Sequence, residues 1–198
     1  TFAGDVTISG TGMVQVGAAT AGLLNGVPDN ANVNIYAGST FAMSAGSEVI
    51  GGLAGAGTVT TNAYASNLNL GANNADNVFA GTLTEASGYA LSVTKVGTGT
   101  QTFAGTNTNT GTLTVNSGTV VLAGGGTWSG MTLAGGNVTV TASQSNSGNI
   151  TINSGSTLTL ADTGKLYNAA YNNAGIITVN TGGLWTLPNW SYAGVGQL

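Results

Sequence analysis

Apolar residues in this chain recur at every second position over short stretches: Val6 and Ile8, Val33 and Ile35, Leu68 and Leu70, Leu113 and Val115, Val138 and Val140, Ile150 and Ile152, and Ile177 and Val179. A Thr or Asn stands inside each pair, so each stretch reads as a strand with one face toward a core. Gly, Asn, Ser and Asp bound these stretches and supply the turn conformations that Val and Thr avoid. Pro28 and Pro188 fall outside them. No segment repeats apolar residues at i, i+3, i+4 and i+7 over three turns, so the pattern predicts no helix.

A longer repeat underlies the strands. The template Ile150-x-Ile152-x-x-Gly155-x-x-Leu158-x-Leu160 recurs 27 positions later as Ile177-x-Val179-x-x-Gly182-x-x-Trp185-x-Leu187. It also appears as Val33-x-Ile35-x-x-Gly38-x-x-Phe41-x-Met43 and, shortened, from Leu113 and Val115 through Gly118 to Val120 and Leu122. Each copy predicts strand, Gly-centred corner, strand, with the apolar positions of both strands on one side. Such a unit buries its apolar face only by stacking on similar units, which is the logic of a solenoid. With roughly 20 to 30 residues per coil, the chain is expected to make about seven to nine coils. Asn116, Asn153 and Asn180, each two residues before its Gly, are expected to stack as amide ladders.

Composition sharpens this picture. Glycine accounts for 34 of 198 residues, charged residues for 4%, apolar residues for 41%, and the net charge is −4. Mean hydropathy is +0.24, which separates the chain from disordered sequences. Low charge suits stacked coils, because like ionised residues one above another repel. Two Lys with no Arg and no His leave no basic surface for a run of phosphates, so no nucleic-acid partner is expected. Without Cys or His the chain offers no zinc, iron–sulfur or blue-copper site and no His-based triad, and no cofactor is expected. Apolar runs of only a few residues predict no membrane insertion. Thr1 opens the sequence without Met or a basic-then-apolar signal, so a processed piece of a longer precursor is expected.

The stretch Ser92 to Gly124 carries Val93, Lys95, Gly97, Gly99, Phe103, Gly105, Asn107, Gly111, Val115 and Gly118 at spacings that resemble the autotransporter-associated β-strand repeat of bacterial surface proteins. Phe103 stands where that family usually has Leu. Upstream, Glu48 to Gly81 is similar to the segment that often precedes the repeat, through Glu48-Val49-Ile50-Gly51, Leu53 to Gly57, Leu68 to Gly71 and Phe79 to Gly81. The match is strongest over residues 48–124. The resemblance implies a right-handed parallel β-helix outside a Gram-negative-type cell, with no catalytic residues.

Candidate chemistry is thin. Asp5, Asp29, Glu48, Asp76, Glu85 and Asp162 are scattered, and only Lys95 and Lys165 are available as bases for a polysaccharide-acting enzyme. The carboxylates are expected in solvated turns, and Lys95 lying across a coil. The Gly-rich stretches at 51–57 and 97–99 lead into no helix and lack a following Lys-Ser/Thr, so they read as turns rather than phosphate cradles. Thr pairs at T-x-T spacing start at Thr58, Thr82, Thr112, Thr139 and Thr157. Aligned on one flat face they would make an ice-binding surface, but their offsets are irregular.

The expected architecture is therefore a single all-β domain over residues 1–198, a parallel β-helix of seven to nine coils. Its expected role is a non-enzymatic structural or adhesive solenoid on the bacterial cell surface. A surface glycan or a neighbouring cell is a further possible partner, and a monomeric passenger fragment of an autotransporter is the alternative. The chain is expected to start in mid-repeat, since Thr1-Phe2-Ala3-Gly4 recurs at Thr102 to Gly105, while Trp and Tyr gather near the end. Head-to-tail polymerisation with copies of itself is expected to use Phe2, Val6 and Ile8 on one side and Trp185, Leu187, Trp190 and Tyr192 on the other.

Overall fold

The computed structural model describes residues 4–17, 26–187, 190–193 and 196–197. Among them every regular element is a strand, and parallel pairing stacks the strands into a solenoid of about eight turns with three faces. Face A contains Val6–Ile8, Asn32–Ile35, Gly52–Gly55, Asn77–Phe79, Thr100–Phe103, Thr119–Leu122, Asn137–Val140, Thr157–Leu160 and Ile176–Val179, which open coils one to nine. Face B begins with Met13–Val16, Thr40–Met43, Thr58–Thr61 and Thr82–Leu83. It continues through a single bridge at Asn107 to Gly126–Trp128, the first halves of Ser143–Ile152 and Lys165–Asn173, and Leu184–Leu187. Face C holds Gly46–Ile50, Ser66–Leu70, Leu91–Lys95, Thr112–Val115, Gly130–Leu133 and the second halves of the two long strands.

The register pairs of face A give coils of 18 to 27 residues, from Val6↔Val33 at the long end to Leu122↔Val140 at the short end. Eight steps at about 4.8 Å make a rod on the order of 38 Å long. Inward positions form one core. Ile35, Val115, Ile152 and Val179 are buried while Thr151 and Thr178 are half-buried, as the alternation predicts. Large side chains stack in register, Phe79 on Phe103 and Val138 on Leu158.

The sequence template marks corners rather than coils. Val33 to Met43 and Ile177 to Leu187 turn from face A to face B, whereas Ile150 to Leu160 and Leu113 to Leu122 turn from face C to face A. The offset of 27 therefore compares different corners of the triangle. What the copies share is a glycine with positive φ: Gly38 at 85°, Gly118 at 67°, Gly155 at 84° and Gly182 at 87°. The predicted Asn ladder does not form, because Asn116 and Asn153 sit on the C-to-A corner two coils apart and Asn180 sits on the A-to-B corner.

A different pressure fixes Gly105. Phe79-Ala80-Gly81, Phe103-Ala104-Gly105 and Leu122-Ala123-Gly124 leave face A at stacked corners. A methyl group on Gly105 would overlap the carbonyl oxygen of Gly81, and one on Gly124 would overlap that of Gly105. The Phe-Ala-Gly repeat is thus the exit of a face A strand.

The last coil differs from the middle of the stack. At the last coil, Trp190–Ala193 pairs antiparallel with Leu184–Leu187 on face B, and Gly196–Gln197 pairs antiparallel with Ile176–Val179 on face A. The outermost strand at this end of faces A and B therefore runs antiparallel to the stack and carries the open edge.

Replacing Ile152 by Asp puts an unpaired charge in the core and is expected to cost several kcal/mol. Gly105→Ala is expected to cost about 1–3 kcal/mol by overpacking. Urea unfolding followed by circular dichroism checks both; an unchanged midpoint for either variant contradicts the assigned stacking.

Candidate functional site

The polar side chains with defined partners are mostly committed to backbone. Asp5 Oδ1 accepts from the N–H of Asn32 at 2.8 Å, and Asp76 Oδ1 accepts from that of Thr100 at 2.6 Å. Asn137 Oδ1 accepts from the N–H of Thr157 at 2.9 Å. All three occupy the entry to a face A strand and hold the residue stacked in the next coil. Glu85 reaches further, taking the N–H of Leu91 at 3.0 Å and of Thr110 at 2.8 Å on Oε2 and the Thr110 hydroxyl at 2.6 Å on Oε1.

Glu48 departs from the expected solvated turn. It is buried, with Oε1 accepting from Val27 N–H at 2.7 Å and Oε2 from Gly26 N–H at 3.1 Å. Position alternates inward at Glu48 because Ile50, two residues on, also faces the core. Desolvation pushes its carboxyl above the usual range, the two N–H donors oppose this, and Asp29 adds to it. Glu85 moves the other way: burial raises its pKa, and the Thr110 and Leu91 hydrogen bonds outweigh that and leave it lowered.

Lys95, expected to lie across a coil, is fully buried inside the solenoid. Its Nζ donates to the carbonyls of Val96 and, at 3.0 Å, Gly97 at its own corner. Desolvation lowers its pKa, with Asp76 partly offsetting the effect. Asp162 stands exposed at an A-to-B corner with φ 52°, a conformation that Asp tolerates. Among the described residues no group of three or more His, Cys, Asp or Glu stands close enough to hold a metal ion.

Gln101 was not singled out by the sequence, where it resembles any polar residue between two Thr. It is buried, and its amide donates from Nε2 to the Leu53 carbonyl at 3.0 Å and accepts on Oε1 from the Leu53 N–H at 3.3 Å. Face A strands of coils three and four share only the Gly55–Phe79 register pair, so the Gln101 amide serves Leu53 where the ladder is broken.

The five T-x-T starts are distributed over three faces, which is why their offsets look irregular. Thr58 and Thr82 lie on face B, Thr112 on face C, and Thr139 and Thr157 on face A. Within face A the outward pairs of coils five to nine fall in register: Thr100 with Thr102, Thr119 with Val121, Asn137 with Thr139, Thr157 with Thr159, and Ile176 with Thr178. On face C, Thr94, Thr114, Thr132 and Thr151 make a further column.

The residues expected at a self-assembly interface divide. Ile8 and Trp185 are buried in the core, and Val6 packs against it half-buried, so their side chains serve the protein's own interior. Phe2 lies outside the described residues. Leu187 is on the last face B strand of the parallel stack, and Trp190 and Tyr192 are on the antiparallel strand beyond it; these three are placed by backbone only. Comparison with protein-family models, with curated proteins and with solved structures finds no match to this chain.

The two glutamates predict opposite pH effects. Glu85, with its folded pKa below 4.5, contributes stability that is present above 4.5 and lost as pH falls through the folded value. Glu48, with its folded pKa above 4.5, contributes stability that is present below 4.5 and lost as pH rises through the folded value. Urea midpoints across pH 3 to 7, an interval of about 1.5 to 2.5 units on either side of the glutamate reference, should lose the acid-side fall in Glu85→Gln and the rise-side fall in Glu48→Gln. Parallel profiles for wild type and both variants contradict these assignments.

Proposed function

We propose that this chain is a non-enzymatic structural or adhesive solenoid of the bacterial cell surface. The observation that carries the reading is the use of its ionisable groups: Asp5, Glu48, Asp76 and Glu85 hold backbone N–H groups, and Lys95 holds backbone carbonyls. Side chains so engaged are parts of the scaffold rather than an acid–base pair facing a substrate. The resemblance of residues 48–124 to the autotransporter-associated repeat supports the extracellular setting.

Head-to-tail assembly into a surface filament is part of this proposal, with its contact revised by the return strands. The free edge of Val6–Ile8 on face A and of Met13–Val16 on face B would meet Gly196–Gln197 and Trp190–Ala193 of another copy, face against like face. The junction is then antiparallel, and open propagation follows because the contact is heterologous. A monomeric passenger-type rod is the competing form. Electron microscopy at neutral pH with sedimentation over a concentration series separates them: fibres abolished by deleting residues 1–9 and by Trp190→Lys support the filament. A wild-type protein monomeric at high concentration leaves the monomeric rod.

One observation favours a second reading. The outward positions of face A in coils five to nine stack in register, uncharged and mostly Thr, which supports a reading as an ice-binding array. Thermal hysteresis and ice-recrystallisation assays of wild type and Thr159→Lys test it, and absence of both activities in the wild type removes it. Turnover of any glycan that vanishes on a single carboxylate substitution would overturn the non-enzymatic reading.

A further inference from the structure

Inside face B, coils five to seven carry polar side chains where the neighbouring coils carry Leu. Asn107, Gly126 and Gln144 stack in register at one inward position, bounded by Leu83 and Leu166, both fully buried. Two residues further along the face, Trp128 is paired with Asn146, and Asn109 stands two residues after Asn107. Asn107, Asn109, Trp128, Gln144 and Asn146 are at most 3% exposed.

Three of the four amides are anchored through their nitrogen. Asn109 Nδ2 donates to the Leu91 carbonyl at 2.8 Å, Asn146 Nδ2 to that of Gly148 at 3.1 Å, and Gln144 Nε2 to that of Gly124. The remaining polar atoms have no protein partner: Asn107 Nδ2 and Oδ1, Asn109 Oδ1, Gln144 Oε1, Asn146 Oδ1 and Trp128 Nε1. Buried groups of this kind are strongly disfavoured unless something completes their hydrogen bonds. Gly126 places no side chain between Asn107 and Gln144; a methyl group there would lie 2.8 Å from Asn107 Cβ and 3.3 Å from Gln144 Oε1.

We propose that this stretch of the solenoid interior is a binding site for a small cluster of ordered water molecules shared by these five side chains. The donor set identifies the occupant. Four amide oxygens accept, whereas Asn107 Nδ2 and the Trp128 indole N–H donate. A bare cation would satisfy the oxygens and be repelled by the N–H groups. Water both donates and accepts, and typically makes about three hydrogen bonds when buried.

Nuclear magnetic resonance on the whole ¹⁵N-labelled chain tests the site, with Trp128→Phe identifying the Trp128 indole signal. Rotating-frame Overhauser transfer should link long-lived water to the Trp128 indole N–H and the Asn107 side-chain N–H. Asn107→Leu should abolish the water signal at Trp128. Absence of water transfer at both groups in the wild type overturns the proposal, as does its persistence at Trp128 in a folded Asn107→Leu variant. Shifts of these resonances when sodium is exchanged for potassium, or when calcium is added, would assign the site to a cation and equally overturn it. If Asn107→Leu does not fold, the wild-type transfer and the cation exchange still decide.

Discussion

Everything in this molecule follows from one contact: each coil's backbone hydrogen-bonds to the coil above and below in parallel register, about 4.8 Å away. Whatever stands at one position of a coil therefore faces its equivalents in two neighbours. Apolar residues gain from this repetition and ionised ones are penalised by it, which accounts for a chain with 4% charged residues. The same spacing presses corner backbones together. Glycine at 81, 105 and 124 is needed because the place a side chain would take is held by the preceding coil's carbonyl oxygen.

The strands, their inward positions and the class of fold were legible because period-two alternation survives without any alignment. Ile35, Val115, Ile152 and Val179 needed only parity to be placed in the core. The coil length was not legible, because A-to-B and C-to-A corners use the same strand–Gly–strand pattern and a sequence comparison superimposes them. The Thr pairs were blurred for the same reason: offsets taken across three faces carry no common step. The burial of Glu48 and Gln101 was not legible because a polar residue at an inward position looks like a break in the pattern. Each is tolerated only through backbone groups contributed from another coil, Val27 and Leu53 respectively. The committed side chains of Asp76 and Glu85 were equally hidden, since their partners Thr100 and Thr110 are 24 and 25 positions away.

Shape changes along the rod as well. Coils two to four have separate strands on all three faces, and seven residues link Leu83 to Leu91 in coil four. By coil seven the B-to-C corner has closed into the continuous strand Ser143–Ile152, with a register irregularity between Asn146 and Asn149 as its only trace. The inward amides of coils five to seven lie at this transition. Leu gives way to Asn and Gln where the corner shortens, and Leu returns at Leu166 once the long strands are established.

Solenoids couple nearest neighbours only, so they ordinarily fray from an end one coil at a time. The Gln101 amide breaks that rule. It spans 48 residues to grip Leu53 of coil three from coil five, passing over coil four. Coil three therefore cannot peel away without also disturbing coil five. A pulling force applied at the first strand would meet added resistance at coil three, giving the rod a mechanical clutch within an otherwise repetitive stack.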